Sequence, residues 1–198
     1  MSIILLRHGE TALNAARVVQ PADTPLSARG LAQADKVAVR VASMSPAALL
    51  SSDMPRAWQT AQAVAAATGL SIEPLPLLQE RCFGDLRGRP HSELGFDIST
   101  LDAAPPNGES ADTFRERAQA AWAVIVARRA ELDGPLVVVT HGLVVRVLLQ
   151  WLVPAADWPT GPPGNTSVTV FDATPPHRLQ LAPCTRHLDE DSTQGGIA

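Results

Sequence analysis

The 198-residue chain is poor in the residues that mark secreted, zinc-binding or membrane-spanning proteins. Its two cysteines, Cys82 and Cys184, lie far apart and outside any CxxC pair, which argues against a disulfide framework and a cysteine zinc site. No apolar run approaches membrane-spanning length, and the first residues lack the charged start and long apolar core of a signal peptide. The default expectation is therefore a cytoplasmic protein.

Tyrosine and lysine are also scarce. Tyrosine is absent, and Lys36 stands alone against fifteen arginines. Arginine forms planar, bidentate contacts with phosphate or carboxylate, although a compositional bias of the genome toward Arg and Ala explains most of these residues equally simply. The net charge of -4 is mild and gives no electrostatic reason to expect nucleic acid or a membrane as a partner. The oligomeric state stays open, with a homodimer among the alternatives.

The chain does contain a regular alternation of apolar runs and helical segments, and its length favours one domain. Short apolar or β-branched runs predict strands over residues 3–6, 48–50, 70–73, 136–140, 167–171 and 178–181. Helical spacing, caps and stop signals predict helices over about 28–43, 55–69, 110–134 and 142–152. This order predicts an α/β fold, in which a mostly parallel sheet is covered by helices on both faces.

Two segments depart from this alternation. Residues 81–112 are rich in Gly and Pro and have little periodicity, which is typical of a lid or binding loop inside a domain. Residues 183–198 have weak patterning and are predicted as a C-terminal tail, so that the domain covers residues 1–182. Asp53 precedes the helix that begins near Pro55, and we interpret it as a helix cap.

Two of the five histidines occur in the same local context. His8 and His141 each follow an apolar strand directly, and each is followed directly by a glycine. In a parallel sheet both strands end at one rim, which is where α/β folds bind ligands. We therefore expect the two imidazoles to lie close together there.

Two arginines accompany these histidines. Arg7 precedes His8, and Arg56 lies in the first turn of the helix that follows the second strand. Arginine forks and helix N-termini both suit a phosphate. A zinc ion usually needs a third ligand, no HExxH or HxH pattern occurs, and both arginines would repel a cation. The sequence thus predicts a phosphate site without a metal or other cofactor.

A histidine in such a site can attack a phosphate ester. Flanking arginines lower the pKa of an imidazole, so that the neutral form is available to form a phosphohistidine. The leaving alkoxide then needs a proton from a nearby carboxylic acid. Glu80, where the irregular loop begins, is the best candidate, with Glu10 and Glu109 as rivals.

Taken together, these segments resemble the histidine phosphatase superfamily, the phosphoglycerate mutase-like group, over about residues 3–170. RHG alone is a weak signal, but several ordered segments make a strong one. The segments that resemble family motifs are LLRHGET with Asn14, TPLSARGLAQA (residues 24–34), LLSSDMPRAWQTA (49–61), LQERCFGDLRG (78–88), VVVTHG (137–142) and Asn165-Thr-Ser-Val.

The resemblance implies a three-layer α/β/α sandwich, no cofactor, and a role for each matching residue. His8 would be the phosphorylated nucleophile and Glu80 the proton donor. The phosphoryl group would be bound by Arg7, Arg56 and His141, with help from Asn14 and Gly142.

The segment after Glu80 departs from the mutase pattern. The insertion that carries paired basic residues in cofactor-dependent mutases is short here, and tyrosine is absent, which favours a phosphatase. The expected function is hydrolysis of a small phosphorylated metabolite. A phosphoglycerate mutase or bisphosphatase is the alternative, and a non-catalytic phospholigand-binding protein is a second one. Candidate contacts to a further charged group on the substrate are Arg81, Arg87, Arg89 and His91.

Overall fold

A six-stranded sheet forms the centre of the protein. The computed structural model describes residues 2–154, 157 and 162–189. The strand order is β3-β2-β4-β1-β5-β6. The strands are β1 (Ser2–Arg7), β2 (Ala48–Ser51), β3 (Ile72–Pro74), β4 (Leu136–Thr140), β5 (Val168–Asp172) and β6 (Leu179–Cys184). The first four strands in this order are mutually parallel. Strand β5 pairs antiparallel with β1, and β6 pairs antiparallel with β5. The prediction of a mostly parallel sheet is therefore confirmed.

The central pair β1 and β4 sets the position of the two histidines. Ile3 pairs with Leu136 and Arg7 pairs with Thr140, so both strands end at the same level. The amide of His8 then donates to the carbonyl of Thr140 over 2.9 Å. His8 and His141 consequently follow neighbouring strands at one edge of the sheet.

Helices cover both faces of this sheet. They are α1 (Ala12–Ala15), α2 (Ala28–Ala42), α3 (Pro55–Thr68), α4 (Ala111–Ala130) and α5 (Gly142–Leu152). Helices α2 and α3 pack over one core, which contains Ile4 and Leu6 of β1. Helices α4 and α5 pack over the other, which contains Ile3 and Leu5. Alternate residues of one fully buried strand thus supply both cores, as in a three-layer sandwich.

The helix ends agree with the predicted caps except at the start of α3. Ser27 and Ser110 cap α2 and α4 through their side chains, and Gly69 ends α3 in the left-handed conformation at φ 74°. The interpretation of Asp53 as a cap is wrong. Met54 occupies the N-cap position of α3, and Asp53 accepts a hydrogen bond from Gln79 instead.

The irregular loop has more internal structure than its composition indicates. It contains three single-turn 3-10 helices, at Gly84–Leu86, His91–Glu93 and Ile98–Thr100. A small apolar cluster lies beneath it, formed by Val19, Phe83, Leu94 and Ile98. The loop is therefore anchored to the domain by its own core.

The residues that follow 182 begin with ordered structure. Strand β6 extends to Cys184, and the 3-10 turn Arg186–Leu188 buries His187. The start of the predicted tail is therefore packed on the domain, because His187 finds polar partners there that local patterning does not reveal. The rest of that tail, 190–198, lies outside the described residues. Among the residues that are described, none of the helices combines the length and apolarity needed to cross a membrane.

Candidate active site

The loop after β1 is held by close packing of two glycines. A Cβ on Gly9 would lie 2.5 Å from the carbonyl oxygen of Gly30, and one on Gly30 would lie 1.9 Å from that of Glu10. Only glycine permits this approach. Ser27, the N-cap of α2, donates from its backbone and its side chain to Glu10. The segment 24–34 thus fixes the backbone beside His8.

His8 is oriented as a nucleophile. Its Nδ1 lies 2.7 Å from the carbonyl oxygen of Gly9, which can only accept, so Nδ1 carries the proton and Nε2 keeps its lone pair. Burial, together with the charges of Arg7 and Arg56, holds the pKa of His8 well below its ordinary value. The imidazole is therefore neutral at physiological pH.

His141 lies against His8, with ring centroids 5.1 Å apart. Its Nε2 is 2.9 Å from Ser52 Oγ, and that oxygen already accepts the amide of Met54. A hydroxyl has one proton and two lone pairs, and we assign Ser52 as the donor because it then donates one bond and accepts one, which leaves the proton of His141 on Nδ1. This buried Nδ1 has no partner in the described part of the chain. Burial, with the nearby Arg56 next, lowers the pKa of His141 well below its usual range.

Two buried guanidinium groups complete this cluster. Arg56 is 1% exposed, and its outer nitrogens contact the carbonyls of Pro21 and Ala22 and the sulfur of Met54. Burial lowers its pKa to about 10, against the attraction of Glu80.

Arg7 donates to the carbonyl of Pro163. A Cβ at residue 142 would lie 3.3 Å from Arg7 Nε, so Gly142 leaves room beside that nitrogen. Arg7 Nε and Arg56 Nε are both buried without a partner among the described residues. Buried donors of this kind are costly unless a ligand accepts from them. With His141 Nδ1 they form a set of three donors suited to phosphate oxygens.

Asn14 belongs to a polar bridge behind the nucleophile. Its Nδ2 donates to Asn165 Oδ1 over 3.0 Å, and Asn165 Nδ2 donates to the carbonyl of His8 over 3.2 Å. The amide of Thr166, at φ 54°, donates to the same carbonyl. Asn14 also lines the cavity described below, so it both supports the loop and faces a ligand.

This bridge continues to a residue that the sequence did not single out. Arg40 donates to His187 Nδ1 over 3.1 Å, so His187 Nε2 carries the proton and donates to Thr166 Oγ1, also over 3.1 Å. Thr166 in turn donates to the carbonyl of Asn165. Burial and the charge of Arg40 lower the pKa of His187 to about 4, which keeps this relay neutral at the imidazole.

Glu80 is the carboxyl group that faces the two arginines. Its oxygens accept from the amides of Arg81 (3.1 Å) and Leu143 (3.2 Å). Burial raises the pKa of Glu80 despite these bonds and despite Arg56 and Arg7. A raised pKa favours the protonated form that a general acid requires.

The two rival carboxylates are committed elsewhere. Glu10 pairs with Arg29 over 3.1 Å at the start of α2. Glu109 pairs with both Arg117 Nε and Nη2 over 2.8 Å. Burial raises the pKa of Glu109, but the contacts with Arg117 outweigh it and the net pKa is lowered. Glu80 is therefore the carboxyl group that has a raised pKa and also lies near Arg7 and Arg56, which carry the unpartnered donors.

These groups open into a cavity of about 820 Å³. Arg7, Asn14, Arg56, Glu80 and Gly142 line its inner end, whereas His8 and His141, at 1% and 0% exposed, are not part of the lining. The inner end is thus a layer of arginine, asparagine and glycine near two buried imidazoles.

The three candidate specificity arginines have different positions. Arg87 lines the cavity, and its charge contributes to the lowered pKa of Arg56. Arg81 also lines it, but its nitrogens donate to the carbonyls of Glu109, Leu101 and Ala103 and so hold the loop. Arg89 is not among the lining residues and donates to the carbonyl of Glu93.

His91 lines the cavity as well, and so do two arginines that the sequence did not single out, Arg17 and Arg146. Arg146 follows Gly142 by four residues on α5 and so lies one turn along the same face, and this spacing is the signal that would have found it. In the part of the chain that the structure describes, no group of three or more His, Cys, Asp or Glu side chains is placed to hold a metal ion.

Two imidazoles, two buried arginines and a buried carboxyl with a raised pKa lie at one edge of the sheet, an arrangement that can support transfer of a phosphoryl group to a histidine. The model of the histidine phosphatase superfamily (branch 1) matches residues 3–181. The chain belongs to this superfamily, which confirms the resemblance seen in its motifs.

Several characterised proteins are similar to the chain. It is 34% identical over 185 residues to glucosyl-3-phosphoglycerate phosphatase of Mycobacterium tuberculosis, covering 84% of this chain and 83% of the relative. It is 36% identical over 160 residues to the probable phosphoglycerate mutase GpmB of Proteus mirabilis, covering 76% and 74%. The solved structure of a mycobacterial glucosyl-3-phosphoglycerate phosphatase in complex with VO3 superposes with a TM-score of 0.79 at 30% identity, covering 91% of this chain and 97% of that one.

Proposed function

We propose that the protein hydrolyses phosphomonoesters of small metabolites through a phosphohistidine intermediate. The observation that carries this proposal is the set of three buried donors on Arg7, Arg56 and His141 that have no partner among the described residues, next to His8, whose Nε2 keeps its lone pair. Such donors stabilise the charge that develops on phosphate oxygens during transfer. Membership of the superfamily and likeness to a phosphatase support the same reaction.

The first step joins His8 Nε2 to phosphorus and breaks the bond between phosphorus and the ester oxygen. Glu80, whose protonated form is favoured because burial raises its pKa, gives its proton to the leaving oxygen and releases an alcohol. Arg7, Arg56 and His141 hold the three remaining oxygens of the transferred group.

The second step returns the enzyme to its starting state. The Glu80 carboxylate takes a proton from a water molecule, and that water attacks the phosphorus of the phosphohistidine. The bond to Nε2 breaks, inorganic phosphate leaves, and Glu80 is again protonated. No net proton or electron is consumed by the residues of the protein, so the cycle needs no cofactor.

Mutase activity is the second candidate, because the chain is 36% identical to a probable phosphoglycerate mutase. In a mutase the phosphohistidine returns its phosphoryl group to a second hydroxyl of the substrate. The cavity presents arginines but no lysine at its rim, and the short insertion after Glu80 favours transfer to water.

We further propose a cytoplasmic setting, which two unpaired cysteines support.

The test is a screen of purified wild type and His8→Ala against sugar phosphates, phosphoglycerates, nucleotides and phosphopeptides. We expect phosphate release by wild type from one or more small phosphorylated metabolites and none by the variant. Equal release by both proteins would contradict the assigned nucleophile. Isomerisation of phosphoglycerates without release of phosphate would favour the mutase, and no reaction with any compound would favour a binding protein.

A further inference from the structure

The outer part of the cavity carries more positive charge than one phosphate can offset. Six of its lining residues are arginines, namely Arg7, Arg17, Arg56, Arg81, Arg87 and Arg146. Among the described lining residues, only Glu80 and Asp97 bring carboxyl groups, and burial raises the pKa of Glu80, which favours its uncharged form. The whole chain has a net charge of -4, so the positive charge of this cavity is a local concentration rather than a general property of the surface.

Three of these arginines form what we call the outer rim: Arg17, Arg87 and Arg146. None of them makes a salt bridge or a side-chain hydrogen bond to a residue that the structure describes. Asp97 feels the charge of Arg146 but lies beyond salt-bridge distance. Four arginines outside the cavity differ from these three, since Arg29, Arg115, Arg117 and Arg128 each pair with a carboxylate.

The rim is held in place by main-chain contacts. The amide of Gly88 donates to the carbonyl of Val19 over 2.7 Å, and the amide of Val19 donates to that of Arg89 over 3.0 Å. A bridge between Val18 and Pro90 adjoins them. The segments that carry Arg17 and Arg87 are therefore joined side by side, which limits how far the two guanidinium groups can separate.

Arg17 itself adopts an unusual backbone conformation. Its φ of 56° lies in the left-handed region, which is costly for a residue with a side chain. Its carbonyl accepts the amide of His91 over 2.9 Å, which secures this conformation. Such outliers concentrate at ligand sites, and here the outlier presents a cation to the cavity.

Apolar side chains also line the cavity that holds the rim and the phosphate donors. Val18, Phe83, Ile98 and Leu143 line the same cavity, and Phe83 and Ile98 belong to the small core under the loop. A cavity of about 820 Å³ is in the range that holds a whole metabolite, roughly 300–1,000 Å³. It is therefore far larger than a phosphoryl group alone requires.

We propose that the outer rim binds a second anionic group of the substrate, a carboxylate or a second phosphate. The organic part between the two anions lies on the apolar wall, and the phosphoester reaches Arg7, Arg56 and His8. This inference rests on the proposed hydrolase function. It assigns selectivity to Arg17, Arg87 and Arg146, two of which lie outside the loop after Glu80.

The test compares matched substrates that differ only in the distal group. The series consists of phosphate esters of ω-hydroxycarboxylic acids of increasing length, each paired with the phosphate ester of the alcohol that ends in methyl. A parallel series of α,ω-diol bisphosphates tests a second phosphate. The readout is the ratio of kcat/KM between the two members of a pair, which does not change with the fraction of folded enzyme.

We expect wild type to favour the doubly anionic member by about tenfold or more at one spacer length, as charge-assisted hydrogen bonds provide. Arg17→Gln and Arg146→Gln are each expected to lower this ratio at least about threefold, and the double variant to bring it close to one. Arg89→Gln serves as the matched control and is expected to keep the wild-type ratio, because Arg89 lies in the loop that carries Arg87 but does not line the cavity. The series with the larger ratio identifies carboxylate or phosphate as the preferred group.

Two results would overturn the proposal. One is a wild-type ratio near one at every length in both series while the methyl-ended esters are hydrolysed. The other is an unchanged ratio in the double variant. Neither would affect the proposed hydrolase function, whereas failure of wild type to hydrolyse any ester would contradict that function directly.

Discussion

The inner end of the cavity and its outer rim are both built on arginine, but their arginines are held in opposite ways. Arg56 at the inner end is 1% exposed, and its outer nitrogens are occupied by protein atoms. Arg17 at the rim is exposed, and its side chain has no partner among the described residues. The inner end is therefore rigid before a ligand arrives, whereas the rim keeps its side chains free.

This difference separates chemistry from selectivity. Fixed donors in a buried site stabilise a transition state without reorganising, and burial lowers the pKa of His8 and raises that of Glu80. Charges near solvent act more weakly because water screens them. We expect changes at the inner end to abolish or slow the reaction of every substrate, and changes at the rim to alter which substrate is preferred.

The largest effect is expected for His8→Ala, which removes the nucleophile. Loss of a nucleophile from a covalent mechanism costs about 10⁴-fold or more in kcat. Phosphate release from p-nitrophenyl phosphate is the measurement, with Arg89→Gln as a variant outside the cavity. A reduction below about tenfold in a folded His8→Ala protein would mean that the inner end is not where bond formation occurs.

Glu80→Gln is expected to slow the hydrolysis of alkyl phosphates by about 10²–10⁴-fold and that of p-nitrophenyl phosphate much less, because only a poor leaving group needs a proton.

The pH profile of the wild-type enzyme gives a second readout of Glu80. Wild-type kcat/KM should fall at alkaline pH as Glu80 loses its proton, at a pH above the ordinary glutamate range because the pKa is raised. It should fall at acidic pH only below the ordinary histidine range, because the pKa of His8 is lowered. An alkaline limb that persists unchanged in Glu80→Gln would assign that limb to another group.

Arg56→Lys tests whether geometry, beyond charge, matters at the inner end. Lysine keeps the charge but lacks the planar fork that contacts Pro21, Ala22 and the bound group at once. We expect kcat/KM to fall about 10²-fold for all substrates alike. A fall in kcat/KM restricted to doubly anionic substrates would mean that the inner end also determines which substrate is preferred.

The smallest effect is expected at His187, which acts only through Thr166 and Asn165 on the backbone of His8. His187→Leu should lower kcat about threefold to tenfold with little change in KM, and reduce stability by about 1–3 kcal/mol because Thr166 loses its donor. His187→Gln, whose amide can accept from Arg40 and donate to Thr166, should recover part of kcat. Loss of stability without any change in kcat would restrict His187 to a structural role.

The two ends also differed in how far the sequence could predict them. His8 and His141 follow strands directly and Arg56 lies in the first turn of the helix after β2, so parallel pairing brings them to one edge of the sheet. The position of Glu80 and the family resemblance favoured it over Glu10 and Glu109, but the burial and the ion pairs that distinguish the three depend on long-range packing.

The rim depends on contacts that local patterning does not encode. Arg81 and Arg87 look alike in the sequence, yet carbonyls of residues 101–109 engage Arg81 and leave Arg87 facing the cavity. Arg17 reaches the rim through a left-handed residue and a main-chain bridge to the loop. His187 was hidden because its partners, Arg40 and Thr166, are distant in sequence.

The most direct test of the distinction between the two ends is to trap the covalent intermediate. Wild type and the Arg17→Gln/Arg146→Gln double variant would be quenched during turnover of a labelled phosphate ester, and the modified residue located by mass spectrometry. We predict an acid-labile, alkali-stable phosphoryl group on His8 in both proteins and none in His8→Ala. Label on any other residue, or hydrolysis by wild type with no covalent label under conditions that slow the second step, would contradict the account.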